Sequence, residues 1–229
     1  MKTIAVLSSL ALTAASAQAV VLYNNGAVWD VAGAPNLSVL ATPSTTLGFG
    51  AQISANNAVA DNFSVGSTWN VTKLTFYMYQ TGSSAFTFTG LNYQIANSHG
   101  DAISWTSASV ANGGLSAYRV TTTTTTNRDR AIYAIDVAVN LVVGPGNYVL
   151  RWQAAGSLAS GPWQPPVVPT NGGGNAMQSL AGAAFGAAID AGSGFQVELP
   201  FTISGTEVPA PGAFAMIGMG ALVAIRRRR

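Results

Sequence analysis

The strongest constraint on this chain is an apolar residue at every second position. Tyr133, Ile135, Val137, Val139, Leu141 and Val143 alternate with less apolar neighbours. The chain then turns at Gly144, Pro145, Gly146 and Asn147, and Tyr148, Leu150 and Trp152 alternate back. A period of two places every second side chain on one face of an extended strand, which a helix of period 3.6 cannot do. The pattern predicts a hairpin. Trp69 to Tyr79 alternates likewise, with a slip of one residue near Thr72 and Lys73 that predicts a bulge. Phe86, Phe88, Leu91, Tyr93 and Ile95 slip in the same way at Gly90. Phe195 to Ile203 alternates again, and Pro200 puts that segment at an edge or a bulge.

Val20 to Tyr23 and Ala58 to Val65 add two short strands, the first closed by the turn residues Asn24, Asn25 and Gly26. Residues 28–49 are rich in Gly, Pro, Ser and Thr and read as loop with one short strand. Residues 102–110 and 115–126 read as extended, joined by a turn at Asn112, Gly113 and Gly114. The six threonines 121–126 form a solvated edge or loop. No stretch between the two ends of the chain has helical periodicity. The expectation is an all-β fold, an antiparallel β-sandwich of jelly-roll-like type over residues 20–207.

Charge and chemistry narrow the function classes. Lys2 and Arg226 to Arg229 supply half of the ten basic residues. The central region keeps five basic residues against eight acidic ones, a net charge of −3. It has no basic stripe, so nucleic-acid binding is not expected. Cysteine is absent, which excludes thiol catalysis and thiolate metal sites. His99, the only histidine, sits in a turn, with no nucleophile elbow in the chain to accompany it. A glycan hydrolase needs two carboxylates flanking one bond. Asp136 and Glu198 fall on strand faces opposite apolar residues, which places Glu198 on an open sheet face as a solvated residue. A structural Ca²⁺ needs roughly six to eight oxygens; Asp61 with Asn62, Asn127 with Asp129, and Asp190 are the donors on offer, and the metal question stays open. Sugar binding on a sandwich uses exposed aromatic rings, for which Trp163, Tyr77 and Tyr79 are the candidates. Trp69 and Trp152 lie in apolar phase and belong to the core.

The two ends carry addresses. Met1 and Lys2 precede an apolar run from Ile4 to Ala15, then small residues through Ala17, Gln18 and Ala19, the order of a signal peptide over residues 1–19. At the other end, residues 208–229 read Val208, Pro209, Ala210, Pro211 and Gly212, then an apolar run from Ala213 to Ile225, then Arg226, Arg227, Arg228 and Arg229. The prolines bar a helix from running through them. The run of 13 residues would span roughly 20 Å as a helix, against about 30 Å for a bilayer core. It predicts a short transmembrane helix and a transient anchor, with the arginines left on the cytoplasmic side.

This tail resembles the PEP-CTERM sorting signal of exported bacterial proteins, with Ala210 where the family has Glu. Ala60 to Val65, Gly146 to Trp152, Leu158 to Trp163 and Leu199 to Gly205 also look similar to an uncharacterised domain found in such proteins. The resemblance implies recognition by an exosortase-type membrane protease at residues 208–212, a transient stay in the inner membrane, and then the cell surface or the extracellular space. The expectation is a non-enzymatic surface or matrix protein associated with exopolysaccharide. A carbohydrate-binding module and, behind it, a glycan hydrolase are the alternatives.

Overall fold

A computed structural model describes residues 18–169 and 173–208. The signal segment before Gln18 and the tail from Pro209 onwards, with their two expected helices, lie outside the described residues. The described chain is all-β. Its strands are β1 (Val20–Asn24), β2 (Leu37–Leu40), β3 (Phe49–Gly50), β4 (Ala58–Val65), β5 (Trp69–Met78), β6 (Phe88–Ala96) and β7 (Thr106–Ala108). They continue as β8 (Ala111–Thr121), β9 (Ala131–Val143), β10 (Gly146–Gly156), β11 (Trp163–Gln164), β12 (Met177–Ser179), β13 (Gly186–Ala187) and β14 (Phe201–Glu207). Among the described residues the helical content is one 3₁₀ turn, Ile53–Ala55.

Two six-stranded sheets form, in the orders β1-β14-β5-β9-β8-β2 and β13-β12-β4-β10-β6-β7. A two-stranded pair, β11-β3, lies beside them. The pairings are antiparallel except that of β2 with β8, which is parallel. The chain alternates between sheets: β4 in the second, β5 in the first, β6 in the second, β9 in the first, β10 in the second. The sheets meet through one apolar cluster. Trp152 of β10 is fully buried and packs at 5.2 Å against Phe76 of β5 and at 5.7 Å against Phe201 of β14. Phe63 of β4 stacks on Trp69 and meets Phe201 edge-on. Such tilted and edge-on pairs join the sheets more strongly than area alone would.

The alternation placed the strands well. Ala58–Val65 is β4 as expected, and the slip at Thr72 is a bulge, with the register of β5 shifting between Val71 and Lys73 against β9. The slip before Gly90 is also a bulge, opposite Ala155 and Gly156. Three expectations are corrected. The hairpin across Gly144 to Asn147 is no hairpin: β9 pairs with β5 and β8, β10 with β4 and β6, and the turn carries the chain from one sheet to the other. Alternation fixes which face of a strand is buried and is silent on its neighbour. Asn112, Gly113 and Gly114 make no turn; they are a bulge inside β8, with Gly114 at φ +106°. A side chain on Gly113 would collide with Ala134 and Asp136. Finally, the closing strand begins only at Phe201, so Glu198 stands before it and on no open sheet face.

Glu198 instead meets Asp61 of β4. The Asn25 amide nitrogen donates to Asp61 Oδ2 at 2.9 Å, to Glu198 Oε2 at 3.3 Å and to the Leu199 carbonyl at 3.0 Å. Leu199 N–H donates to Asp61 Oδ2 at 2.7 Å and Asn62 N–H to Oδ1 at 2.7 Å. Tyr23 closes the group by donating to Asn25 Oδ1 at 2.8 Å. The pair thus ties the end of β1 and the approach to β14 onto β4, across the two sheets. Burial, and then the charge of Glu198, push the Asp61 carboxyl up to about 8, against the pull of the Leu199 and Asn62 amides. A protonated Asp61 donates where two carboxylates would repel.

Two stability measurements follow. The folded Asp61 value lies above the unfolded one, near 4, so between them the folded chain holds a proton that the unfolded chain has released. The Asp61 contribution to stability is full below about pH 4 and is lost towards about pH 8, by up to about 1.4 kcal/mol per pH unit for one proton. Denaturant midpoints across that range show the decline, and Glu198→Gln, which removes the neighbouring charge, makes it shallower. A flat profile contradicts the shared proton. Separately, Trp152→Ala loses about 3–5 kcal/mol in the same assay.

Candidate functional site: an aromatic groove on the first sheet

The outer face of the first sheet carries the chemistry that the core excludes. On β5, Leu74, Phe76 and Met78 point inward, so Lys73, Thr75 and Tyr77 point outward. Asp136 of β9 lies beside them, accepting from Lys73 Nζ at 3.0 Å and from Thr75 Oγ1 at 2.6 Å. It is a half-exposed structural ion pair and belongs to the polar surface.

Next to this pair the segment after β1 folds back over the sheet. Gly26 turns it, at φ +104°, pressed so close to Val167 that a side chain would not fit. Val28 then sinks into a small cluster with Tyr79, Ala117 and Ile132. Seating Val28 turns Trp29 outward, where 41% of its surface stays open. Asn36 fastens the returning segment by donating to the Ser116 carbonyl at 3.2 Å. Between this segment and the sheet runs a groove of about 580 Å³, walled by Trp29, Tyr77 and Leu115 and edged by Asn24, Asn36 and Ser116. No charged side chain lines it. The Asn24 side chain spends its oxygen on Gly26 N–H; its amide nitrogen and the Ser116 hydroxyl have no partner among the described residues. The groove offers apolar ring faces, an amide donor and a hydroxyl, and its lining holds no carboxylate, histidine or other charged group beside that hydroxyl.

The three aromatic candidates from the sequence separate here. Tyr77 lines the groove, as its place on the outer face requires. Tyr79 is only 3% exposed: Val28 covers it, and its backbone pairs with Trp163 in both directions, at 3.0 and 2.8 Å. Burial pushes its phenol up to about 12, softened by Arg119 and Arg130. Its ring is a floor to the cluster and has no open face. Trp163 lies half-buried against the same cluster, donating from Nε1 to Ser160 at 3.2 Å. Val208 ends the described chain, 38% exposed, with its N–H on the Thr68 carbonyl; Pro209, Ala210, Pro211, Gly212 and Arg226 to Arg229 lie outside the described residues. Trp29 escaped the sequence reading. Its signal was a tryptophan in a glycine- and proline-rich stretch, where an aromatic ring has few ways to be covered.

The other candidates serve the structure. Asp190 accepts from the N–H groups of Thr45, Thr46, Gly192 and Ser193. Burial alone would raise it, but these bonds hold it below the usual carboxylate range. Asn127 caps Asp129 N–H at 2.7 Å. The Asp61 oxygens are taken by the three donors named above, and with Asp61 fully buried no substrate bond reaches its carboxyl. Among the described residues no three His, Asp or Glu side chains gather as a metal would need, and no helix is long and apolar enough to cross a membrane.

Compared with known proteins, the chain matches no protein-family model, no curated protein and no solved structure.

The division between floor and wall is measurable by thermal or chemical unfolding. Tyr79→Ala loses about 3–5 kcal/mol, as a buried aromatic does. Trp29→Ala stays within about 0.5 kcal/mol of the wild type, as an exposed side chain does. Equal losses at both positions contradict the assignment.

Proposed function

We propose that this chain is an exported, non-enzymatic surface or matrix protein that associates with exopolysaccharide, and that the groove of Trp29 and Tyr77 makes the contact. The observation that carries the reading is the uncharged aromatic wall. A pyranose ring presents a C–H face that packs on an indole or phenol, and hydroxyls that pair with amides and serine. A nucleic acid or an anionic ligand finds no cation there, and an aromatic anchor in a concave site is the usual source of binding energy. The carbohydrate-binding-module reading thus merges with the matrix reading, because the groove gives the matrix protein its means of attachment. Nothing favours a hydrolase.

The strand order supports the jelly-roll-like reading of the fold. Successive long strands alternate between the sheets, and the segment between β6 and β9 splits, its first part (β7) staying in the second sheet and its last (β8) joining the first. The sequence ends support the route: export by the signal segment, a transient anchor in the inner membrane through Ala213 to Ile225, and processing near residues 208–212 by an exosortase-type protease.

Two measurements test this. The intact mass of the extracellular protein is expected to lack residues 213–229; a mass that includes Arg226 to Arg229 overturns the processing. Secreted protein is expected to co-sediment with the producing organism's own exopolysaccharide, and Trp29→Ala to weaken that binding about tenfold or more. Undiminished binding by a folded Trp29→Ala protein removes the groove from the account.

A further inference from the structure

The second sheet carries a pocket of different construction on its own outer face. On β4 the core positions are Val59, Phe63 and Val65, so Asn62 and Ser64 point outward. Asn147 and Val149 do the same on β10, opposite Ser64 and Asn62 in register. The loop 97–101 folds over them. Together with Asn175 they enclose about 390 Å³, lined by Asn62, Ser64, Asn97, His99 and Asn147, with Ser98 and Asn175 at the rim.

This pocket is built and held. Asp101 accepts from Asn97 N–H at 2.8 Å, from Ser98 N–H at 3.2 Å and from the Ser98 hydroxyl at 2.7 Å. Arg151, fully buried, donates to the Ser98 carbonyl at 2.7 Å, to the Asp101 carbonyl at 3.0 Å and to Gln94 at 3.1 Å. Its guanidinium lies 5.1 Å over the Phe185 ring. The loop therefore has one position. Burial, and then Arg151, lower the His99 imidazole and keep it neutral at neutral pH.

Inside this rigid frame the polar valences do not close. Asn62 Oδ1 and His99 Nδ1 are both buried and have no partner. Asn147 receives the Ser64 hydroxyl at 2.8 Å on Oδ1, which leaves its amide nitrogen open. Asn175 spends its amide nitrogen on Glu198 at 3.2 Å, which leaves its oxygen open. Asn147 and Asn175 are exposed, so water meets their open valences, whereas the two buried atoms without partners are costly and, beside those exposed amides, point to a polar occupant. Donors and acceptors are mixed, and the lining holds no charge. A group that both donates and accepts suits this mixture, and the hydroxyls of a neutral sugar are such groups.

We infer that this pocket is a second binding site for a neutral, hydroxyl-rich glycan. It lies on the opposite outer face of the sandwich from the Trp29 groove, so one molecule holds two glycan strands and bridges them. The inference rests on the glycan reading of the groove and extends it from attachment to cross-linking. Two sites on the outer faces of different sheets suit separate or looping chains, on which they gain avidity.

The experiment titrates the secreted protein with neutral oligosaccharides cut from the producing organism's exopolysaccharide, by calorimetry, alongside clustering of beads coated with that polysaccharide. Wild type is expected to bind two equivalents and to cluster the beads. The Asn62→Ala, Asn147→Ala double variant keeps its fold, because both side chains are on an outer face. It is expected to bind one equivalent and to lose clustering. Trp29→Ala is expected to do the same from the other side, while its Asn62 side-chain amide and His99 imidazole still shift in NMR spectra on adding sugar. Combining all three substitutions removes binding. One equivalent in the wild type, abolished by Trp29→Ala and untouched by the asparagine pair, overturns the second site and leaves the first. No binding by the wild type overturns the glycan reading as well.

Discussion

Everything in this molecule depends on one seam, where Trp152 of the second sheet lies between Phe76 and Phe201 of the first. A β-sheet with one apolar face must bury that face, and two such sheets bury each other. The chain has no cysteine, so no disulfide holds the sheets together, and a continuous aromatic and aliphatic core does so unaided. The same arithmetic of period two that fills the core sends every other residue outward. The outer faces of both sheets are therefore supplied with Tyr, Asn, Ser and Thr by the act of folding. The groove and the amide pocket are concave regions of those two faces.

Loops decide where the outer faces become concave, and buried polar groups decide where the loops sit. Arg119, fully buried, donates to the carbonyls of Leu47 and Thr46 and to Ser38. Thr46 N–H in turn donates to Asp190, so one short loop is pinned from two sides. Arg151 and Asp101 fix the loop over the amide pocket by the same device. Asn25, Asp61 and Glu198 fix the start of the segment that carries Trp29. With only 8% of residues charged, several of the charges that are present hold loops in place, where removing one partner leaves a buried group uncompensated.

The sequence shows this division unevenly. The faces of β4, β5 and β9 were legible because burial on one side writes itself as alternation, and the bulges at Thr72 and before Gly90 were legible as slips in that alternation. Partnership was not: the turn at Gly144 to Asn147 looks the same whether β10 folds back on β9 or crosses to the other sheet. Gly113 and Gly114 have the composition of a turn, but a bulge uses a positive φ just as a turn does, and Gly114 takes one. At the site, Tyr77 was placed on the correct face by phase alone. Tyr79, two residues on, shares that phase and is covered by Val28 and Trp163, a tertiary event that no local pattern records. Trp29 and the Asp61–Glu198 pair depend on contacts between distant segments and left no trace in spacing.

The central claim is that glycan is held on the outer faces of the two sheets, at two loop-framed sites. Hydrogen–deuterium exchange of the protein, with and without the producing organism's exopolysaccharide, tests it most directly. The account predicts new protection in two separate places, residues 24–36 with the adjoining part of β8, and residues 97–101 with the start of β10. Protection absent from both, or confined to the end of β9 around Val142, which is 73% exposed and belongs to neither site, contradicts it.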